Sequence, residues 1–99
     1  MTTEKWTEKA RVDAIVHGYV QGVNFRYYTT RRARRLGLTG WVANRRDGTV
    51  RTIAEGKRSD LDQFVDFLRR GSPAASVERV DVEWESPQGG FEGFMVRYR

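Results

Sequence analysis

The segment from Gly18 to Arg26 constrains the fold most, because it places a glycine-punctuated loop between a strand pattern and a helix pattern. Residues 11–16 alternate polar and apolar side chains, which predicts a strand. From Phe25 onward, apolar or small side chains recur near helical spacing, which predicts a helix that ends at Gly37. Such a turn from strand to helix presents successive backbone N–H groups and a helix N-terminus at one point.

The remaining patterns predict three or four more strands and a second helix. Asp47-Gly48 is typical of a hairpin turn. In chain order we predict strands over 40–44 and 49–55, a helix capped by Ser59 with its apolar face at 61–68, a strand over 80–84 and an additional strand over 94–98. The order βαββαβ predicts the α+β class, with one antiparallel sheet and both helices on one face.

Composition limits the classes of protein that remain. The 99 residues suffice for one domain, and the absence of cysteine excludes disulfides, thiolate catalysis and cysteine-ligated zinc. The polar N-terminus lacks a signal-peptide pattern, and no apolar run approaches the roughly 20 residues that span a membrane. We therefore expect a soluble cytoplasmic protein with a flexible tail at residues 1–9 and a single domain over residues 10–99.

The net charge of +5 is concentrated in the N-terminal part of the chain. Residues 1–58 carry 13 Lys and Arg against 5 Asp and Glu, whereas residues 59–99 carry 5 against 8. A basic field of this kind attracts anions, either small phosphate compounds or nucleic acid.

The glycine loop has the chemistry of an anion site. Gly18 and Gly22 permit sharp turns or close approach of the backbone to a ligand. Arg26 offers a planar guanidinium that matches two phosphate oxygens. The spacing alone leaves open a plain turn whose arginine is solvated. The P-loop pattern of nucleotide-binding proteins is absent.

Asn44 is the last residue of a predicted strand and could orient a water molecule, because an amide both donates and accepts hydrogen bonds. An ordinary turn asparagine is the alternative. His17 is the only histidine and lies near the end of a predicted strand, and we expect it to be a strand or surface residue with no catalytic role. Without an acid, base, nucleophile or metal site, the carboxyl-phosphate anhydride is the best-suited substrate, because its leaving carboxylate has a pKa of about 4 and needs no protonation.

Two long motifs carry a resemblance to the acylphosphatase family: Val16-x-Gly18-x-Val20-Gln21-Gly22-Val23-x-Phe25-Arg26, and Gly40-Trp41-Val42-Ala43-Asn44-x-x-x-Gly48-x-Val50. The resemblance implies a ferredoxin-like α/β sandwich that hydrolyses acyl phosphates to carboxylate and phosphate, without cofactor, metal or phosphoenzyme. It implies that Arg26 binds the phosphate and that Asn44 orients the attacking water. It also implies a phosphate cradle made of the backbone amides of Gln21, Gly22, Val23, Asn24, Phe25 and Arg26.

Three other interpretations stay open at this point. The predicted fold class also includes RNA-binding modules, and the first helix carries Arg31, Arg32, Arg34 and Arg35. Similar domains occur inside larger proteins that process carbamoyl phosphate, and an inactive phosphate-binding module is a third possibility. We expect a free-standing enzyme that acts on a small acyl phosphate as a monomer, without nucleic acid or membrane as a partner.

Overall fold

The computed structural model describes residues 8–98, so residues 1–7 of the predicted tail lie outside the described part of the chain. Within residues 8–98, five strands and two helices follow the predicted order, with the additional strand at the end. Their bounds are β1 Lys9–Tyr19, α1 Phe25–Arg35, β2 Thr39–Asn44, β3 Val50–Lys57, α2 Arg58–Arg70, β4 Ser76–Glu85 and β5 Phe94–Val96.

The strands form one sheet in the order β4-β1-β3-β2-β5. Every neighbouring pair is antiparallel except β2 and β5, which run parallel. Helix α1 packs against β2 and β5, and α2 packs against β1, β3 and β4, with the two helices in mutual contact. The predicted ferredoxin-like fold, with both helices on one face of the sheet, is thereby confirmed.

The strand register brings the two sequence motifs to the same edge of the sheet. Val50 pairs with Val16 of β1 on one side and with Asn44 of β2 on the other. The chain leaves β1 three residues after Val16, so the loop that follows lies at the edge where β2 ends. The register therefore accounts for the proximity of the loop and Asn44.

One hydrophobic core lies between the sheet and the helices. Val12, Ala14 and Val16 are fully buried, as the alternation in the first strand predicts. Phe64 of α2 and Phe94 of β5 meet edge to face, with ring centroids 5.9 Å apart. The helix faces predicted from apolar spacing point into this core: Phe25, Thr29 and Ala33 from α1, and Leu61, Phe64, Val65 and Leu68 from α2.

Some predicted boundaries were wrong. Helix α2 begins at Arg58, and Ser59 is not its N-cap; that position is held by Lys57, which makes no side-chain capping bond. Strand β1 extends to Tyr19 through a bulge at His17 and Gly18, so two residues assigned to the loop belong to the strand. The helix end was correct in position, since Gly37 follows α1 with a φ of 72°.

Candidate active site

The loop between β1 and α1 has a backbone that leaves its N–H groups free. Gly22 and Asn24 both have positive φ, at 75° and 61°. Asn24 occupies the N-cap position of α1 without a side-chain capping bond. Among residues 8–98, no backbone N–H group from residue 21 to residue 26 donates to a protein acceptor. These donors, together with the helix N-terminus, are available to one anion.

Two hydrogen-bonded anchors hold this loop. The Gln21 side-chain amide donates to the carbonyl oxygens of Arg45 at 2.7 Å and Thr49 at 2.8 Å. From the other side, the hydroxyl of the buried Ser72 donates to the carbonyl oxygen of Val23 at 2.7 Å. The loop is thus tied to the β2–β3 hairpin and to the segment after α2, and this reduces the entropy that a bound ligand must remove.

Arg26 lies in the first turn of α1, where its position follows directly from the helix start at Phe25. Its guanidinium carbon is 5.2 Å from the centroid of the Tyr98 ring. This is a cation–π contact, and it leaves the N–H edge of the guanidinium available for an oxyanion.

Asn44 is the last residue of β2 and is half-buried. The hairpin after it is closed by a hydrogen bond from the Arg45 N–H to the Thr49 carbonyl, at 2.9 Å. Asp47 Oδ1 accepts hydrogen bonds from the hydroxyl of Thr49 at 2.6 Å and from its backbone N–H at 3.0 Å. These bonds lower the pKa of Asp47, which stays ionised and fixes the turn.

A cleft of about 580 Å³ brings the predicted residues of both motifs together. Gly22, Asn24, Phe25, Arg26 and Asn44 all line it, whereas Gln21 and Val23 belong to the loop but not to the lining. The loop amides and the guanidinium can hold a phosphoryl group, and the Asn44 amide can hold a water molecule beside it.

His17, the histidine considered in the sequence analysis, lies outside the cleft. His17 Nε2 is 2.8 Å from Asp81 Oδ2 on the neighbouring strand, and His17 is not part of the cleft lining. The pKa of Asp81 is lowered mainly by the hydrogen bond from Arg79 and, to a smaller extent, by the hydrogen bond with His17.

Between residues 8 and 98, no three His, Cys, Asp or Glu side chains cluster as metal ligands would. No helix in that range is long and apolar enough to cross a membrane.

Six residues that line the cleft were not among the predicted site residues: Val20, Tyr27, Thr30, Arg34, Val96 and Tyr98. The spacing of Arg26, Thr30 and Arg34, at i, i+4 and i+8, was a signal that could have placed the last two beside Arg26. Val96 and Tyr98 had no such local signal, because their position depends on the pairing of β5 with β2.

Comparisons with known proteins match this chain over most of its length. The family model described as Acylphosphatase matches residues 12–96. The chain is 51% identical to the acylphosphatase of Salinibacter ruber over 94 residues, which cover 95% of this chain and 98% of that protein. Among solved structures, an acylphosphatase from Bacillus subtilis superposes with a TM-score of 0.87 at 38% identity, covering 90% of this chain and 99% of that one. An acylphosphatase from Coxiella burnetii gives a TM-score of 0.85 at 35% identity, covering 97% and 100%.

Proposed function

The chain belongs to the acylphosphatase family and is an acylphosphatase, and we propose that Arg26 and the loop amides hold the phosphoryl group while Asn44 orients the attacking water. The observation that carries this assignment is the shared cleft, which Arg26, Asn44 and the loop residues line together. The free N–H groups of residues 21–26 support the cradle.

In the proposed mechanism, the phosphoryl oxygens accept hydrogen bonds from the loop N–H groups and from the Arg26 guanidinium. These donors stabilise negative charge on the equatorial oxygens as the bond to the carboxylate lengthens. Preorganisation of the loop by Gln21 and Ser72 means that the donors are in place before the reaction begins.

Asn44 acts as a positioning group because its amide cannot accept a proton at neutral pH. The water that it orients attacks phosphorus in line with the departing carboxylate. The water proton passes to the substrate or to solvent, and a loose transition state requires little base strength. We expect turnover without an added metal, since the carboxylate leaving group is already stable as an anion.

The test is hydrolysis of benzoyl phosphate in the presence of EDTA, followed by ultraviolet absorbance. Asn44→Ala should lower kcat by about 10²–10³ while changing the inhibition constant of inorganic phosphate only slightly. Arg26→Ala should weaken phosphate inhibition and also lower kcat. Gln63→Ala, at an exposed amide on α2, is the matched control and should behave as wild type. Near-full turnover by Asn44→Ala would refute the role assigned to this residue.

RNA binding is the second candidate, and the arrangement of β5 argues against it. Phe94, an aromatic residue of this strand, is buried in the core, with 2% of its surface exposed, so it is not available to stack on a base. On α1, Arg32 lies over the ring of Phe67 and Arg34 donates to the carbonyl oxygen of Phe94 at 3.0 Å, so these arginines have protein contacts. Salt-dependent, high-affinity binding of single-stranded RNA would contradict the proposal that nucleic acid is not a partner.

We further propose that residues 10–99 act as a single monomeric domain in the cytoplasm. A single hydrophobic core within the described residues supports one domain, and a cleft that needs no residue of a second chain supports a monomer. Light scattering coupled to size-exclusion chromatography measures the oligomeric state, and fractionation of cells measures the location.

A further inference from the structure

Three residues of α1 form a row along the floor of the cleft. Arg26, Thr30 and Arg34 are spaced four residues apart, and all three line the same cleft. Residues four apart in a helix lie about 6 Å apart along the axis. The cleft therefore continues beyond the phosphate loop for about two helical turns.

The direction of this row follows from the strand register. Arg34 Nε donates to the carbonyl oxygen of Phe94, which pairs with Gly40 near the start of β2. Asn44 lies at the opposite end of the same strand. The row thus leads from the phosphate loop away from Asn44. In an in-line displacement the acyl group departs on the side opposite the attacking water, so with the water at Asn44 the acyl group would extend along this row.

Thr30 has an unpartnered polar atom beside this extension. The residue is only 7% exposed, and its hydroxyl oxygen is buried without a hydrogen-bond partner among the described residues. A buried hydroxyl without a partner is unfavourable, so a ligand that supplies the partner recovers that free energy. Threonine in a helix populates two χ1 rotamers. Because Thr30 lines the cleft, the subsite requires the rotamer in which its hydroxyl faces the cleft.

Arg34 supplies positive charge at the far end of the row. Its Nε is engaged by Phe94, and no carboxylate within residues 8–98 forms an ion pair with it. The two terminal nitrogens of the guanidinium present further donors in a plane that suits a carboxylate.

We propose that Thr30 and Arg34 form an acyl-group subsite that favours acyl phosphates whose acyl chain ends in a second carboxylate. With the phosphoryl group in the loop, a short chain extends along α1 and its terminal carboxylate accepts hydrogen bonds from Thr30 and Arg34. This inference rests on the proposed placement of the phosphoryl group.

The test compares succinyl phosphate with butyryl phosphate, which have four-carbon acyl chains that differ in a terminal carboxylate and a terminal methyl group. Phosphorus NMR follows both reactions after subtraction of the uncatalysed rate. Wild-type protein should show a higher kcat/KM for succinyl phosphate. In Thr30→Val the ratio of the two kcat/KM values should fall about tenfold, the effect of one lost hydrogen bond to a charged group.

Two further threonine variants separate the subsite from a general effect. Thr30→Ser keeps the hydroxyl and should keep the ratio. Thr29→Val removes a hydroxyl that is also buried and unpartnered, but Thr29 is outside the cleft lining, so its ratio should equal that of wild type. Neither valine variant changes a charge, so the overall basic field cannot account for a difference between them.

Arg34→Gln should lower the ratio at least as much as Thr30→Val, because it removes the positive charge. If wild type, Thr30→Val and Arg34→Gln all hydrolyse both compounds with the same ratio of kcat/KM values, the subsite is overturned and the proposed function stands. Lack of turnover of both compounds by folded wild-type protein would overturn the proposed function, and the subsite with it.

Discussion

The side chain of Gln21 joins the phosphate loop to the hairpin after Asn44 by a 2.8 Å hydrogen bond to the carbonyl oxygen of Thr49. A second bond, to the carbonyl oxygen of Arg45, lies only one residue from Asn44. One side chain therefore fixes the distance between the loop, which is proposed to bind the phosphoryl group, and Asn44, which is proposed to orient the water. This explains how residues from separate strands can act on the same small substrate.

Gln21→Ala should lower kcat for benzoyl phosphate about tenfold and the free energy of unfolding by about 2 kcal/mol. The variant keeps the loop N–H groups but removes two hydrogen bonds, each worth about 1 kcal/mol, that align them with Asn44. Steady-state kinetics and urea unfolding measure the two effects, with Gln63→Ala as control. Unchanged kcat would mean that the loop and hairpin are aligned by other contacts.

Tyr98→Ala should raise the inhibition constant of inorganic phosphate about two- to fivefold. The ring holds the Arg26 guanidinium through a cation–π contact worth about 0.5–1 kcal/mol at an exposed position. Tyr98→Phe keeps the ring and should match wild type. Equal weakening by both substitutions would indicate that the hydroxyl matters and the ring does not.

Ser72→Ala should destabilise the protein by about 1–3 kcal/mol. The substitution leaves the carbonyl oxygen of Val23 without its 2.7 Å hydrogen bond in a buried position. Urea unfolding gives the change in the free energy of unfolding, and Ser76→Ala, at an exposed serine in β4, should have little effect. A similar loss in both variants would rule out a specific anchoring role for Ser72.

Glu55→Gln should be less stable than wild type by about 1–3 kcal/mol at neutral pH, with a smaller difference in acid. Burial alone raises the pKa of Glu55, but hydrogen bonds from the Gln88 N–H, the Arg11 side chain and the Gly89 N–H outweigh it and lower the pKa below 4.5. A carboxylate with a lowered pKa stabilises the fold above its unfolded-state pKa. That contribution is lost as the pH falls through the folded-state value.

Urea unfolding at pH values from 7 to 3 measures this convergence, with Glu92→Gln at an exposed carboxylate as control. A difference between wild type and Glu55→Gln that stays constant over the whole range would contradict the assigned lowering of the pKa.

Local patterns in the sequence predicted the elements well. The alternation at Val12, Ala14 and Val16, and the glycine at position 37, correspond to buried strand residues and a left-handed helix end. The cap of α2 was wrong because Ser59 has the chemistry of an N-cap, whereas β3 continues to Lys57 and the helix follows without an intervening loop. A local propensity was outweighed there by strand pairing with β1.

The sequence by itself determined the fold class, because glycine positions and apolar spacing act on the backbone locally. Its two motifs carried the resemblance to the family, which implied Arg26 and Asn44 as the candidate residues. Only the tertiary structure decided that Val96 and Tyr98 share their cleft and that Arg34 contacts Phe94. Residues 34 and 94 meet because β5 pairs in parallel with β2, and the pairing of segments so far apart in the chain depends on the packing of the whole core.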